Sequence, residues 1–341
     1  VACSPYRKPM LDAARTARPT RPENFEGELS GETMKRLART LCVVALALTL
    51  GLPAPARALE KASIGYNSVA DFILTYIAKD QGFFEKHGLD ADIKLAQVSL
   101  AATPTILVSG SIDIGGVTPP ALLLADENGL DIKIVAGADQ TGAGFHLSAI
   151  VVRADSDIKT AADLKGKTVA VPGLNDLLHI LVVKWMADRG VAKGDVHYVE
   201  VSMVQLGDAL KSGRVDAVVP VEPFTSRIAN NGGRVLANYT DDLPAGLPPV
   251  VWASTGKYAA SHPAVIKAFR AGLADAAEYY KAHPEIGPAT LSHYIKLPPE
   301  ALKNVPIPPA IATVDVSQIR YWVDIMRQQK MLTKAIDPAS V

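Results

Sequence analysis

The sequence predicts an α/β fold in two lobes joined by two crossover segments, with a helical C-terminal part, and three observations carry that prediction. Short β-rich runs alternate with amphipathic helical stretches from Leu59 to about Pro220. Two polar segments, at 154–160 and 238–249, interrupt the alternation. After Ser261 the pattern turns helical throughout. Strand–crossover–strand repeats bury both faces of a parallel sheet under helices. At 341 residues the chain is long enough to fill a core in each of two lobes.

In chain order, strands are expected at 62–66, 91–95, 112–115, 133–138, 149–153, 168–171, 197–200 and 217–220, where Val, Ile and Ala cluster between turn residues. Helices are expected between most of them, at 71–80, 118–126, 176–189 and 203–212. A last strand is expected at 250–254, and the helices after it at 263–282, 285–295, 299–304 and 316–330. The two polar breaks then place a first lobe in residues 59–153, a second in 154–249, and the completion of the first in 250–341 with its C-terminal helices.

The N-terminal part has a different character. Lys35, Arg36 and Arg39 form a basic segment after Met34, residues 41–52 an apolar run, and Ala56-Arg57-Ala58 a small-x-small end. This is the pattern of a secretory signal peptide over 34–58, and the run is too short for the ~30 Å hydrocarbon core of a bilayer. Export to the periplasm with cleavage before Leu59 is expected, and no lipidation box precedes Cys42. Residues 1–33 are rich in Arg, Pro, Thr and Glu without apolar periodicity, and read as disordered or as an untranslated upstream extension. Nine of the 35 basic and five of the 35 acidic residues precede Leu59, leaving 26 and 30 and a net charge of −4 for the remainder. Without a basic stripe there, nucleic acid is an unsuitable partner. Both cysteines, Cys3 and Cys42, precede the cleavage site, so the mature part has no disulfide, thiolate metal ligand or Cys nucleophile.

Four stretches resemble one family. They are Gly82-Phe83-Phe84-Glu85-Lys86-His87-Gly88-Leu89, Ser109-Gly110-Ser111-Ile112-Asp113-Ile114-Gly115, Asp163-Leu164-Lys165-Gly166-Lys167-Thr168-Val169-Ala170-Val171, and Ala209-Leu210-Lys211-Ser212-Gly213-Arg214-Val215-Asp216-Ala217 followed by Glu222-Pro223-Phe224. Their order and content are similar to the periplasmic binding proteins for aliphatic sulfonates, taurine, nitrate and thiamine-precursor pyrimidines. The resemblance implies a type II periplasmic-binding-protein fold, capture of a small polar molecule in the cleft with hinge closure, and delivery to the membrane permease and ATPase of an ABC importer. It implies a monomer with no cofactor. Physically the motifs are structural: their glycines stop helices, Phe83 and Phe84 suit a core, and Asp113 and Asp216 suit turn caps.

In open α/β sheets, ligands bind beyond the carboxyl ends of the strands. That rule selects Asn67 and Ser68 after the first strand, Ser99 after the second, and Val117 and Thr118 after the third, with Pro119 suited to the first helical position. In the second lobe it selects Asn175 and Asp176, then Ser202 and Met203, then Glu222. Backbone N–H groups at 118–121 and 176–178 are expected to donate to a polar or anionic head group. Ser68, Thr118, Asn175 and Ser202 are equally good N-caps, and Glu222 ahead of Pro223 complements a helix dipole. Gln140 and His146 flank Gly142 and Gly144 near the first crossing, and Trp252 opens the return strand, where stacking on a ligand and packing of the hinge compete. The carboxylate of Asp176 in a first helical turn argues against an anion there and for a neutral or nitrogen-donor group, with any acid group left to the Thr118 helix.

Enzyme readings find little support. No Gly-x-Ser-x-Gly, P-loop, His-Glu-x-x-His or Cys-x-x-Cys occurs, and the seven histidines lack metal-ligand spacing. The resembling family has an enzymatic branch, a thiamine-pyrimidine synthase with a cysteine-rich iron motif, which the cysteine-free mature part does not match. A ligand-sensing domain is the other alternative.

Overall fold

A computed structural model describes residues 58–96, 99–142, 144–302 and 305–341. The expected signal segment, except Ala58, and the extension before it lie outside these residues. Two five-stranded sheets organise the chain. The first contains β1 (Glu60–Tyr66), β2 (Leu89–Leu95), β3 (Ile114–Val117), β4 (Ile132–Gly137) and β10 (Val251–Thr255), in the order β2-β1-β3-β10-β4. The second contains β5 (Ile150–Arg153), β6 (Thr168–Val171), β7 (His197–Glu200), β8 (Ala217–Val218) and β9 (Gly233–Ala237), in the order β7-β6-β8-β5-β9.

Both sheets are mixed. β1, β2 and β3 run parallel, as do β6, β7 and β8, while β10 and β5 run antiparallel to their neighbours. The all-parallel expectation fails at these two strands because both enter from a crossing, and hydrophobic periodicity carries no direction. Ile150–Arg153 belongs to the second sheet, so the change of sheet comes before Ile150, earlier than the expected boundary at Arg153.

The same device starts the central strand of each sheet. Asp113 Oδ2 accepts from Ser63 N at 2.8 Å and from Ser63 Oγ at 2.9 Å, and Asp216 Oδ2 accepts from Thr168 N at 2.9 Å. These carboxylates tie a strand entrance to its parallel neighbour instead of capping their own turns. Gly82 (φ 70°) and Gly166 (φ 72°) occupy the left-handed region that a side chain disfavours, as the motifs require.

The core of the first lobe lies between its sheet and the helices α1 (Ile73–Asp80), α2 (Phe83–Lys86) and α9 (Pro263–Ala282); chain order between them runs α3 (Thr103–Val108), α4 (Pro119–Glu127), α5 (Leu177–Ala187), α6 (Leu206–Lys211), α7 (Phe224–Asn230) and α8 (Gly256–Ser261). Trp252, 1 % exposed, packs against Phe72 (ring centroids 4.8 Å) and Phe269 (5.4 Å), and Phe269 stacks on Phe84 at 5.5 Å. Phe72 reaches the sheet because Gly116 of β3 leaves room: a Cβ there would lie 2.3 Å from the ring. Gly116→Ala is therefore expected to destabilise the protein by about 1–3 kcal/mol through overpacking. A urea midpoint equal to wild type would show that the ring yields without cost.

The crossings, 138–149 and 238–250, bond to each other. Thr141 N donates to Leu247 O at 2.8 Å, Gly246 N to Thr141 O at 2.8 Å, and Thr240 Oγ1 to Ser148 O at 3.1 Å. Asp139 Oδ1 accepts from Val250 N at 3.2 Å, joining the start of one crossing to the end of the other. The remaining helices, α10 (Gly287–Ile295), α11 (Pro299–Leu302) and α12 (Val316–Gln328), complete the C-terminal part. Just past α12, Gln329 Nε2 donates to Ile180 O in the second lobe at 2.7 Å.

Candidate functional site

A cleft of about 740 Å³ opens between the carboxyl ends of the two sets of strands, where a switch in strand order places ligands. Its first wall comes from the loops after β1, β2 and β3, with Asn67, Ser68, Ser99 and Thr118 among its residues. Tyr76 of α1 shapes the β1 loop by donating its hydroxyl to Asn67 O at 2.9 Å and Val69 O at 3.2 Å. The opposite wall comes from the loops after β6 and β7, through Asp176, Glu200, Ser202 and Met203. Leu95, Leu100, Leu177, Val204 and Phe224 give the cleft an apolar floor and sides.

Seven of the thirteen candidates line this cleft: Asn67, Ser68, Ser99, Thr118, Asp176, Ser202 and Met203. The other six do not. Val117 is buried in β3, and Trp252 is committed to the aromatic core just described. Glu222 is buried, and its carboxylate takes Ser226 Oγ at 3.0 Å and Ser226 N at 3.3 Å, so it stabilises the start of α7. Gln140 and His146 lie within the first crossing, where Gln140 N bonds Pro309 O and His146 Nδ1 pairs with Asp241 of the second at 2.6 Å. Asn175 sits behind the rim in the left-handed region (φ 61°), its N–H donated to His179 Nδ1 at 2.8 Å.

At α4 the expected anion-binding donors are absent for a covalent reason. Thr118 does N-cap α4, but Pro119 and Pro120 carry no N–H, and Ala121 N is spent on Thr118 Oγ1 at 3.3 Å. At α5 the N-cap position is held by Asp176, whose carboxyl lies by Leu177 N but makes no capping hydrogen bond to the helix. The α4 start therefore has no free amide for an oxyanion, and the α5 start sets a carboxylate beside its own amides.

The electrostatics agree. Among the described residues lining the cleft there is no Lys, Arg or His, whereas Asp71, Asp176 and Glu200 all reach it. Asp176 Oδ1 accepts from Thr118 Oγ1 at 2.5 Å across the cleft, a direct bond between the lobes. Desolvation raises the Asp176 carboxyl above the usual range, the Thr118 and Leu177 bonds hold it down in part, and Glu200 adds repulsion. Asp71 is almost fully buried at the base of the first wall, and behind it lies Asp139, fully buried. Burial raises both carboxyls, Asp139 further than Asp71, and a hydrogen bond between them lowers Asp71 while raising Asp139. Neither aspartate stands out in the sequence, where one opens a helical turn and the other follows a strand.

The architecture is that of two α/β lobes closing on a cleft, the fold of periplasmic binding proteins. The chain matches the NMT1/THI5-like family over residues 69–286 and belongs to it. It is 30 % identical over 274 residues to a binding protein of Brucella abortus (strain 2308), covering 77 % of this chain and 80 % of that one. It is 32 % identical over 160 residues to the formylaminopyrimidine-binding protein of Halalkalibacterium halodurans, covering 45 % and 44 %. Among solved structures, the alkanesulfonate-binding protein of Xanthomonas axonopodis pv. citri bound to MOPS shares the fold, with a TM-score of 0.71 at 23 % identity over 83 % of this chain and 98 % of that one.

Proposed function

We propose that this protein is the periplasmic capture component of an ABC importer, without enzymatic activity, and that its ligand is a small molecule presenting N–H donors, such as an aminoheterocycle, in preference to an oxyanion. The observation that carries this reading is the cleft's charge balance: carboxylates on both walls, no cationic side chain among its described lining residues, and, at the α4 start, amides that are missing or already used. An oxyanion there would face like charge with no cationic side chain among the described lining residues to offset it. A flat nitrogen heterocycle would meet acceptors at its edge and apolar surface on its faces. The likeness to a formylaminopyrimidine-binding protein supports this class, and the segment at 34–58 supports delivery to the periplasm.

Thermal denaturation tests it. 4-Aminopyrimidine is expected to raise the Tm of wild type, and Asp176→Ala to reduce that shift, whereas ethanesulfonate is expected to leave the Tm in place. A sulfonate-dependent shift that Asp176→Ala leaves unchanged sinks the ligand class.

A further inference from the structure

The carboxyl pair at the base of the first wall has a property that burial alone does not explain. Asp139 Oδ1 accepts from Val250 N, but Oδ2 finds no N–H or O–H donor among the described residues, although the atom is sealed from solvent. Its neighbour is the carboxyl of Asp71. Two carboxyl oxygens meet in this way only when one carries a proton. The two sites differ in a definite sense. Asp139 is wholly enclosed, whereas Asp71 lines the cleft and is 6 % exposed. A charge costs less on the member nearer water and nearer a future partner. No basic side chain acts on either carboxyl; the titratable groups facing them are Tyr76 from α1 and, on the opposite cleft wall, Asp176 and Glu200.

We propose that Asp71 is the docking point for a basic, protonated nitrogen group of the ligand, and that Asp139, holding the proton of the pair and donating it to Asp71, is the positioning residue that fixes the Asp71 carboxylate toward the cleft. The pair carries one negative charge, which a monocation such as an amidinium or protonated aminopyrimidine neutralises, and no proton leaves or enters. Because Asp139 also accepts from Val250 N at the end of the second crossing, the ligand's charge is felt one hydrogen bond away from the segment joining the lobes. The proposal deepens the reading above and rests on it only in taking this cleft as the ligand site. Asp176 selects for a donor on the second lobe, and Asp71 selects for a cation on the first.

The test uses benzamidine as a cationic probe, 4-aminopyrimidine as a neutral donor and ethanesulfonate as an anion, each titrated by calorimetry at millimolar concentration. Benzamidine is expected to bind wild type, and Asp71→Asn to weaken it at least tenfold, as the loss of a charged hydrogen bond requires. Asp139→Asn is expected to bind as wild type does, because its amide N–H replaces the proton and its amide oxygen still accepts from Val250 N. Asp139→Leu, which supplies neither group, is expected to lose affinity. The infrared C=O stretch of a protonated carboxyl, read at neutral pH without any ligand, is expected in wild type and diminished in Asp139→Asn. Equal benzamidine binding by wild type and Asp71→Asn, or none by wild type, overturns the assignment of Asp71. An infrared spectrum unchanged in folded Asp139→Asn overturns the shared proton. Binding of 4-aminopyrimidine that Asp71→Asn does not affect, with no binding of benzamidine, leaves the wider ligand class standing while this assignment falls. Binding of ethanesulfonate alone removes both.

Discussion

Trp252→Ala is expected to lower the unfolding free energy by about 3–5 kcal/mol, the cost of emptying a large aromatic site in a closed core. The side chain is 1 % exposed, lies on the strand shared by β3 and β4, and contacts Phe72 and Phe269 at ring-centroid distances of 4.8 and 5.4 Å. Aromatic contacts at these separations add to the area term, and Phe269, anchored in a twenty-residue helix, cannot collapse far into the space. Trp252→Phe keeps most of the contact area and is expected to cost much less. Chemical denaturation of the three proteins decides the matter. A Trp252→Ala midpoint within error of wild type would return this residue to the list of ligand contacts.

Acid is expected to weaken the protein through His179. Burial, assisted by Lys193, lowers its imidazole from 6.5 to about 4. The neutral ring is needed in the fold, because Nδ1 accepts the N–H of Asn175, and this places the ring proton on Nε2. Between pH 6.5 and 4 the unfolded chain binds a proton that the folded chain refuses. Stability is therefore complete above pH 6.5 and is lost as pH falls toward 4, with no further loss below. The contribution is on the order of 3 kcal/mol. The raised carboxyls of Asp71, Asp139, Asp176 and Glu222 act in the opposite sense, since the folded form keeps their protons longer. Tm against pH for wild type and His179→Gln separates the two, the glutamine offering an acceptor that does not titrate. Parallel curves through that window would show that His179 does not carry the acid response. Because Asn175 directly precedes Asp176, the same protonation is expected to loosen the second wall of the cleft.

The order of strands and helices could be read from the sequence because each core-facing element leaves a periodic apolar trace. Residues 263–282, expected as a helix behind Pro263, form one over that same span. β9 left no such trace. It is an edge strand whose residues are mostly half-exposed, so Arg234-Val235-Leu236 shows neither alternation nor a closed apolar run. Strand direction was invisible for β5 and β10, whose apolar content is the same whichever way they run. The site divided on similar lines. Residues following parallel strands, such as Ser68, Thr118 and Ser202, line the cleft as expected because the rule for ligand position is topological. The buried pair Asp71 and Asp139 could not be read from the sequence because the two are 68 positions apart. The loss of donors at α4 was present in the sequence all along, in the two consecutive prolines after Thr118.

Those prolines also bear on how binding preference can change over evolutionary time. Pro119 and Pro120 stand in the first turn of α4, on scaffold already shaped by the core beneath, and neither belongs to a strand. Exchanging them for serine and alanine would return two amides to the end of a helix while leaving the sheets and the aromatic core untouched. Such a descendant would still carry the acids at 71, 176 and 200 that reach the cleft, and each would have to go before an oxyanion met no like charge there.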